Sequence, residues 1–241
     1  MMERIDRLID EVRDMAMVNE HPAVLEIIKH RTPASVYPVR KVGNARIVKT
    51  PYSPGYYDYS TVDGYKLYHL AKTQTVTSLQ RRDTTGNVSR WRTWMDDNPR
   101  HWRVMDAFAH ELHGKVLLGG LGLGLVLHAL QDNTLVTQID VVEYDADVIK
   151  LMKHNMPTDG RINIIHADLW QYQMVAYDSA MIDIWVWTSL AQKAATLSEV
   201  VLCIERVLSK NRDCEVAIHG WPTLSHPRFN DALKLDINKG G

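Results

Sequence analysis

Lys115-Val-Leu-Leu-Gly-Gly-Leu-Gly-Leu-Gly-Leu-Val126 is the stretch that decides the fold. Val116 to Leu118 is a short, wholly apolar run, the pattern of a parallel strand covered on both faces. Gly120, Gly122 and Gly124 then spell G-x-G-x-G. Glycine there permits positive φ and lets a ligand approach the backbone without meeting a Cβ. The segment from Leu125 to about Leu130 is expected to be a helix whose free N–H groups point at whatever occupies the turn. A glycine turn alone also simply joins strands to helices, so the decision rests on the order of the segments downstream.

Ile139-Asp-Val-Val-Glu143 is a second apolar strand, ending in an acid about twenty residues past the turn. An acid at that strand end can accept hydrogen bonds from both ribose hydroxyls of a nucleoside. Asp147 to Lys153 reads as the returning helix. Arg161 to His166 is a third strand, followed by Ala167-Asp168-Leu169, where the Asp168 carboxylate and the Leu169 backbone could serve an adenine. Tyr177 to Asp183 is a fourth strand with Asp183 at its carboxyl end. Ligands of open α/β sheets bind outside the carboxyl ends of the strands, so these points should share one crevice. A nicotinamide dinucleotide fits less well, because its fingerprint needs a third glycine where this chain has Leu125.

These segments, "VLLGGLGLG", "VVEYD", "HADLW" and "YDSAMIDIW", resemble the successive motifs of the class I S-adenosylmethionine-dependent methyltransferases, and most nearly their spermidine-synthase-like branch. The resemblance covers residues 99–220 and extends to residues 65–98, similar to that branch's β-hairpin region. It implies a Rossmann-like, doubly wound α/β sheet of five or more strands and S-adenosylmethionine as cofactor. Gly120, Gly122 and Gly124 would serve the donor's amino-acid and ribose side, Glu143 the ribose, and Asp168 with Leu169 the adenine. Asp183 would position or deprotonate the acceptor, with Trp185 or Trp187 walling the acceptor site or holding a cation by cation–π attraction. His219 and Trp221, after the fifth strand, are further candidates. Aminopropyltransferases typically carry an aspartate where this chain has Leu123, so the resemblance leans toward the intact donor and methyl transfer. Aminopropyl transfer from the decarboxylated donor and a non-catalytic scaffold remain alternatives.

The chain has 241 residues, a formal net charge of −1 and 45% hydrophobic residues. Such a charge supplies no global field to recruit nucleic acid or an anionic membrane. No apolar run approaches a membrane span, and the acidic, polar start is unlike a signal peptide. Cys203 and Cys214 read as reduced thiols. The expectation is a cytoplasmic enzyme acting on a small molecule, with homo-oligomers possible and nucleic acid not favoured.

Two regions are expected, residues 1–98 with helical and β-hairpin segments and residues 99–241 as the donor-binding domain. Residues 1–30 carry apolar residues at helical spacing, Ile5, Leu8, Ile9 and Val12, then Val24, Ile27 and Ile28 after a restart at Pro22. Pro51 to Tyr59 reads as a tyrosine-rich loop. Thr73 to Arg82 and Val88 to Met95 read as a hairpin, Arg90 and Arg92 facing solvent opposite Trp91. Asn98 caps a helix opened by Pro99 and ended by Gly114. His110 and His113 lack a third ligand and read as a polar face, so no metal is expected. Trp187 to Lys210 reads as a mostly helical run and Glu215 to His219 as the fifth strand. The antiparallel strand pair usual at this sheet's C-terminal edge would be shortened or absent.

Overall fold

In the computed structural model, residues 24–27, 29–61, 64–83, 89–186 and 189–221 are described. Val116 and Leu118 pack into one hydrophobic cluster and Leu117, between them, into another. Alternate side chains of a strand leave opposite faces, so this central strand is buried on both sides.

The first strands are β1 (Val24–Ile27), β2 (Arg40–Val42), β3 (Ala45–Tyr52), β4 (Gly55–Thr61), β5 (Gly64–Leu70), β6 (Gln74–Asp83) and β7 (Arg90–Asp96). The second half runs α1 (Pro99–Glu111), β8 (Gly114–Gly119), α2 (Leu125–Ala129), β9 (Val136–Glu143) and α3 (Ala146–Met152). It continues with β10 (Ile162–His166), β11 (Ser179–Ile182), α4 (Leu190–Ala195), α5 (Leu197–Leu208) and β12 (Glu215–Ile218). Five of these strands form a wholly parallel sheet in the order β10-β9-β8-β11-β12. The order reverses direction at β8, which places the crevice between the carboxyl ends of β8 and β11. This is the Rossmann-like α/β sheet expected from the sequence. Ahead of it lie an antiparallel sheet, β2-β3-β6-β7, and a three-stranded sheet, β1-β5-β4.

Several expectations are corrected. Residues 1–23, with the first apolar stripe, lie outside the described residues, but Val24–Ile27 is a strand rather than helix. It pairs in parallel with β5, Val24 opposite Leu67. Apolar residues three apart do not separate the two states over four residues, and the pairing decides. The tyrosine-rich stretch is not a loop but the end of β3 and most of β4. Pro51 is tolerated because β2 covers β3 only over residues 45–47, leaving the other side of Pro51 without a strand partner. The tyrosines pack on one another, Tyr52 on Tyr57 and Tyr57 on Tyr68, with ring centroids 4.9 and 5.4 Å apart. The segment from residue 189 to 210 is mostly helical as expected, in two helices that meet at Thr196. Residues 222–241, where the further strand pair would fall, lie outside the described residues, as does the tip of the β6–β7 hairpin.

Asn98 caps α1 as expected, its Oδ1 accepting from the His101 N–H at 2.9 Å. The antiparallel sheet is docked onto the parallel one beside the crevice. The Asn44 N–H, in the β2–β3 turn, donates to Asp147 Oδ2 at 2.8 Å. Arg81 of β6 pairs with Asp145, which is also the N-cap of α3 and accepts from the N–H groups of Asp147 and Val148. Asp145 is thus a cap and an anchor at once. Asp145→Ala is expected to lower the unfolding free energy by about 2 kcal/mol in urea titration, the upper range for a lost cap. Asp145→Asn, which keeps a cap acceptor, is expected to lose less.

Candidate functional site

The glycine turn is shaped by close approach. Gly120, Gly122 and Gly124 have φ of 94°, 52° and 65°. A Cβ on Gly120 would lie 2.6 Å from the Asp183 carbonyl oxygen, and one on Gly122 would strike the Met95 thioether. Glu143, at the end of β9, is buried and closes the turn from beside it. Its Oε2 accepts from the Leu121 N–H at 2.8 Å and its Oε1 from the Asp145 N–H at 2.7 Å. Burial pushes the Glu143 carboxyl above its ordinary range, against the pull of these bonds and a further one from Gly122.

The remaining N–H groups of the turn are also committed. Gly120 donates to the Val142 carbonyl, Gly124 to the Leu121 carbonyl, and Leu123 to Met95 Sδ at 3.1 Å. The turn is therefore not the open anion cradle that its glycines suggest, because the carboxylate and thioether of neighbouring strands already hold it.

A cavity of about 280 Å³ opens beside it. Of the residues singled out in the sequence, Gly120, Gly122, Glu143, Asp168, Leu169, Asp183 and Trp185 line it. Gly124 faces a smaller adjoining cavity with Met95 and Met105. Trp187 lies outside the described residues. Asp168 also shapes the chain after β10, its Oδ1 accepting from the Trp170 N–H at 2.9 Å. Trp185 donates its ring N–H to Glu199 at 3.4 Å.

Among the wall residues that sequence reasoning missed are Trp94 and Met95 from β7, Tyr144 and Trp170. Tyr144 and Trp170 lie just past the acids at two strand ends, so adjacency was a usable signal. Trp94 and Met95 gave none, because only the docking of the second sheet brings them over the crevice. Trp91 behaves as the alternation predicted, half-buried under Lys41 and Arg46, while Arg90 and Arg92 face solvent.

Asp183 is no helix cap. Its Oδ1 is 2.9 Å from His219 Nδ1. Its Oδ2 lies 3.9 Å from Nε2 of His101, which α1 supplies. The two imidazoles are stacked, with centroids 4.8 Å apart and planes inclined by 13°. Burial works to raise the Asp183 carboxyl, but the two imidazoles outweigh it and hold it below its ordinary range. For His219, burial opposes charge, yet Asp183 raises it above the usual imidazole value. Burial, reinforced by His219, lowers His101 to about 4. The three side chains also form a metal-sized cluster, with one ligand atom from each lying within 4.8 Å of the others. An imidazole nitrogen ligates along its ring plane, so two stacked, nearly parallel rings do not aim at one ion as they stand.

No protein-family model matches this sequence, and no curated protein matches it. Solved structures do. A spermidine synthase in complex with the transition-state analogue AdoDATO is 16% identical, over 76% of this chain and 73% of that one, with a TM-score of 0.44. A dimethyladenosine transferase from Plasmodium falciparum is 16% identical over 45% of this chain, with a TM-score of 0.32. A Trypanosoma brucei enzyme–prozyme complex with AdoHcy is 17% identical over 48%, with a TM-score of 0.36. The chain spans only 37% of the length of each of these last two.

The two tightest glycines should differ when substituted. Gly120→Ala meets a backbone oxygen that cannot yield, whereas Gly122→Ala meets the end of a flexible side chain. Both suffer at positive φ. Thermal unfolding is expected to show the larger loss for Gly120→Ala, and equal losses would remove the Asp183 carbonyl as the constraint.

Proposed function

We propose that this protein is an S-adenosylmethionine-dependent transferase that moves a methyl group to an N–H or O–H nucleophile of a small molecule. The observation that carries this is the lining of the cavity. Glu143, Asp168 and Asp183 bring three carboxylates, and Trp94, Tyr144, Trp170 and Trp185 bring four aromatic rings. No lysine, arginine or histidine is among the lining residues. Carboxylates and aromatic faces together favour a flat, cationic ligand. A sulfonium nucleoside is one, whereas a dinucleotide would bring a pyrophosphate to a turn whose N–H groups are already used.

In this reading residues 99–241 hold the donor, and residues 1–98 lend Trp94 and Met95 to its far side. Glu143 and Asp168 would hold ribose and adenine, each through the lone pairs left after their backbone bonds. The donor supplies an electrophilic methyl group on a positively charged sulfur. The protein's own tasks are to align the nucleophile and to take its proton at Asp183.

Aminopropyl transfer is the second reading, and one observation favours it. The lining offers no cation to a donor carboxylate, which the decarboxylated donor lacks. Against it, Leu123 is wholly buried in the core and places no anion at the turn. Calorimetric titration separates the readings. S-adenosylhomocysteine and the intact donor are expected to bind, the intact donor more tightly than the decarboxylated one. The opposite preference would make this an aminopropyltransferase, and binding of neither would end both readings. Glu143→Gln is expected to weaken S-adenosylhomocysteine about tenfold, from lost hydrogen bonds to a charged acceptor.

A further inference from the structure

The Asp183 cluster contains more than a base needs. If the carboxylate merely took a proton, one partner to orient it would suffice, and His219 is that partner at 2.9 Å. His101 adds a second, differently placed imidazole. Its Nε2 is buried and has no hydrogen-bond partner. Placing the ring's proton on Nδ1 avoids a buried N–H without an acceptor at Nε2. A neutral imidazole that donates at one nitrogen has a bare lone pair at the other. That lone pair lies 3.9 Å from Asp183 Oδ2. Two acceptors thus face each other across a gap slightly too long for a hydrogen bond, with the place of one proton between them.

We propose that Asp183, His101 and His219 form a proton relay, in which Asp183 takes the proton of the nucleophile from the cavity and His101 Nε2 receives it. His219 is the positioning residue: it fixes the carboxylate by Oδ1 and balances its charge, leaving Oδ2 as the working oxygen. The relay rests on the transferase reading for its substrate, a nucleophile that still carries a proton when it attacks. The new bond forms between the nucleophile and the transferred carbon, and the carbon–sulfur bond breaks with its electron pair going to sulfur. The proton leaves the nucleophile for Oδ2 and is then shared with Nε2. The acceptor is accordingly an amine or hydroxyl compound.

The charges around the cluster bear on which imidazole is neutral at rest. Arg100 faces both imidazoles and Lys193 faces His219, and both disfavour a second positive charge. Asp183, at 2.9 Å, raises His219 above the usual imidazole value against the pull of burial. His101, stacked on His219 and lowered by burial to about 4, is the ring that is neutral at rest.

Histidine-ring nitrogen NMR of the whole protein between pH 4 and 8 tests this without a known acceptor. His101 is expected to show a protonated Nδ1 and a bare Nε2 from pH 8 to below 5, while the midpoint of His219 lies above pH 6.5. In Asp183→Asn the midpoint of His219 should fall, and His101 should no longer gain a proton in this range, because an amide offers it a donor instead. A proton on His101 Nε2 at neutral pH would overturn the proposal in the unaltered protein, whatever the variant does. So would ordinary titration of His101 near 6.5 in both proteins. Adding S-adenosylhomocysteine distinguishes the two claims. Absence of binding with the expected ring states sinks the transferase reading alone, and binding with the wrong ring states sinks the relay alone.

Discussion

The Glu143 carboxylate is the interaction on which the site depends. It is a buried charge at the end of β9, and it is tolerated because backbone N–H groups on both sides bond to it. Through Leu121 it ties down the glycine turn after β8, and through Asp145 it sets the start of α3. Asp145 in turn caps that helix and pairs with Arg81 of the second sheet. A chain of charged and backbone contacts therefore links β9, the turn, α3 and β6 around one corner of the cavity. Loosening its first member would move the rest.

The other wall is set by sterics. Gly120 lies so close to the Asp183 carbonyl that no side chain fits between β8 and β11. This closeness brings Asp183 to the mouth of the turn, and the fifth strand then delivers His219 beside it. His101 arrives from α1, whose start is fixed by Asn98 and Pro99. Three elements far apart in sequence thus supply one polar cluster, beside a cavity whose own lining is acidic and aromatic. Asp183 belongs to both, lining the cavity beside the aromatic rings, whereas His101 and His219 are not among the lining residues.

The parallel sheet was legible because β8, β9 and β11 are short apolar runs that end in, or run directly into, glycine or an acid. The clusters around Val116–Leu118, Ile139–Glu143 and Ser179–Ile182 leave little alternative. What was not legible depended on pairing between segments. Val24–Ile27 is too short for its periodicity to decide, and its partner is about forty residues away. Pro51 argued for a loop, yet the missing N–H falls where no neighbouring strand needs it. The site divided in the same way. Glu143, Asp168 and Asp183 announced themselves as acids at strand ends. His101 did not, since a lone histidine in the first turn of an amphipathic helix carries no signal until the fold stacks it on His219. Nor could sequence show that the turn's N–H groups are spent within the protein, which changes the glycine run from an anion cradle to a tightly closed wall.

A crystal structure with S-adenosylhomocysteine tests the central claim most directly. The expected complex has the ribose hydroxyls on the Glu143 carboxylate, the adenine against Asp168 and Leu169, and the sulfur facing Asp183, with Met95 moved off the Leu123 N–H. A nucleoside seated elsewhere, or one whose sulfur points away from Asp183, would contradict that claim.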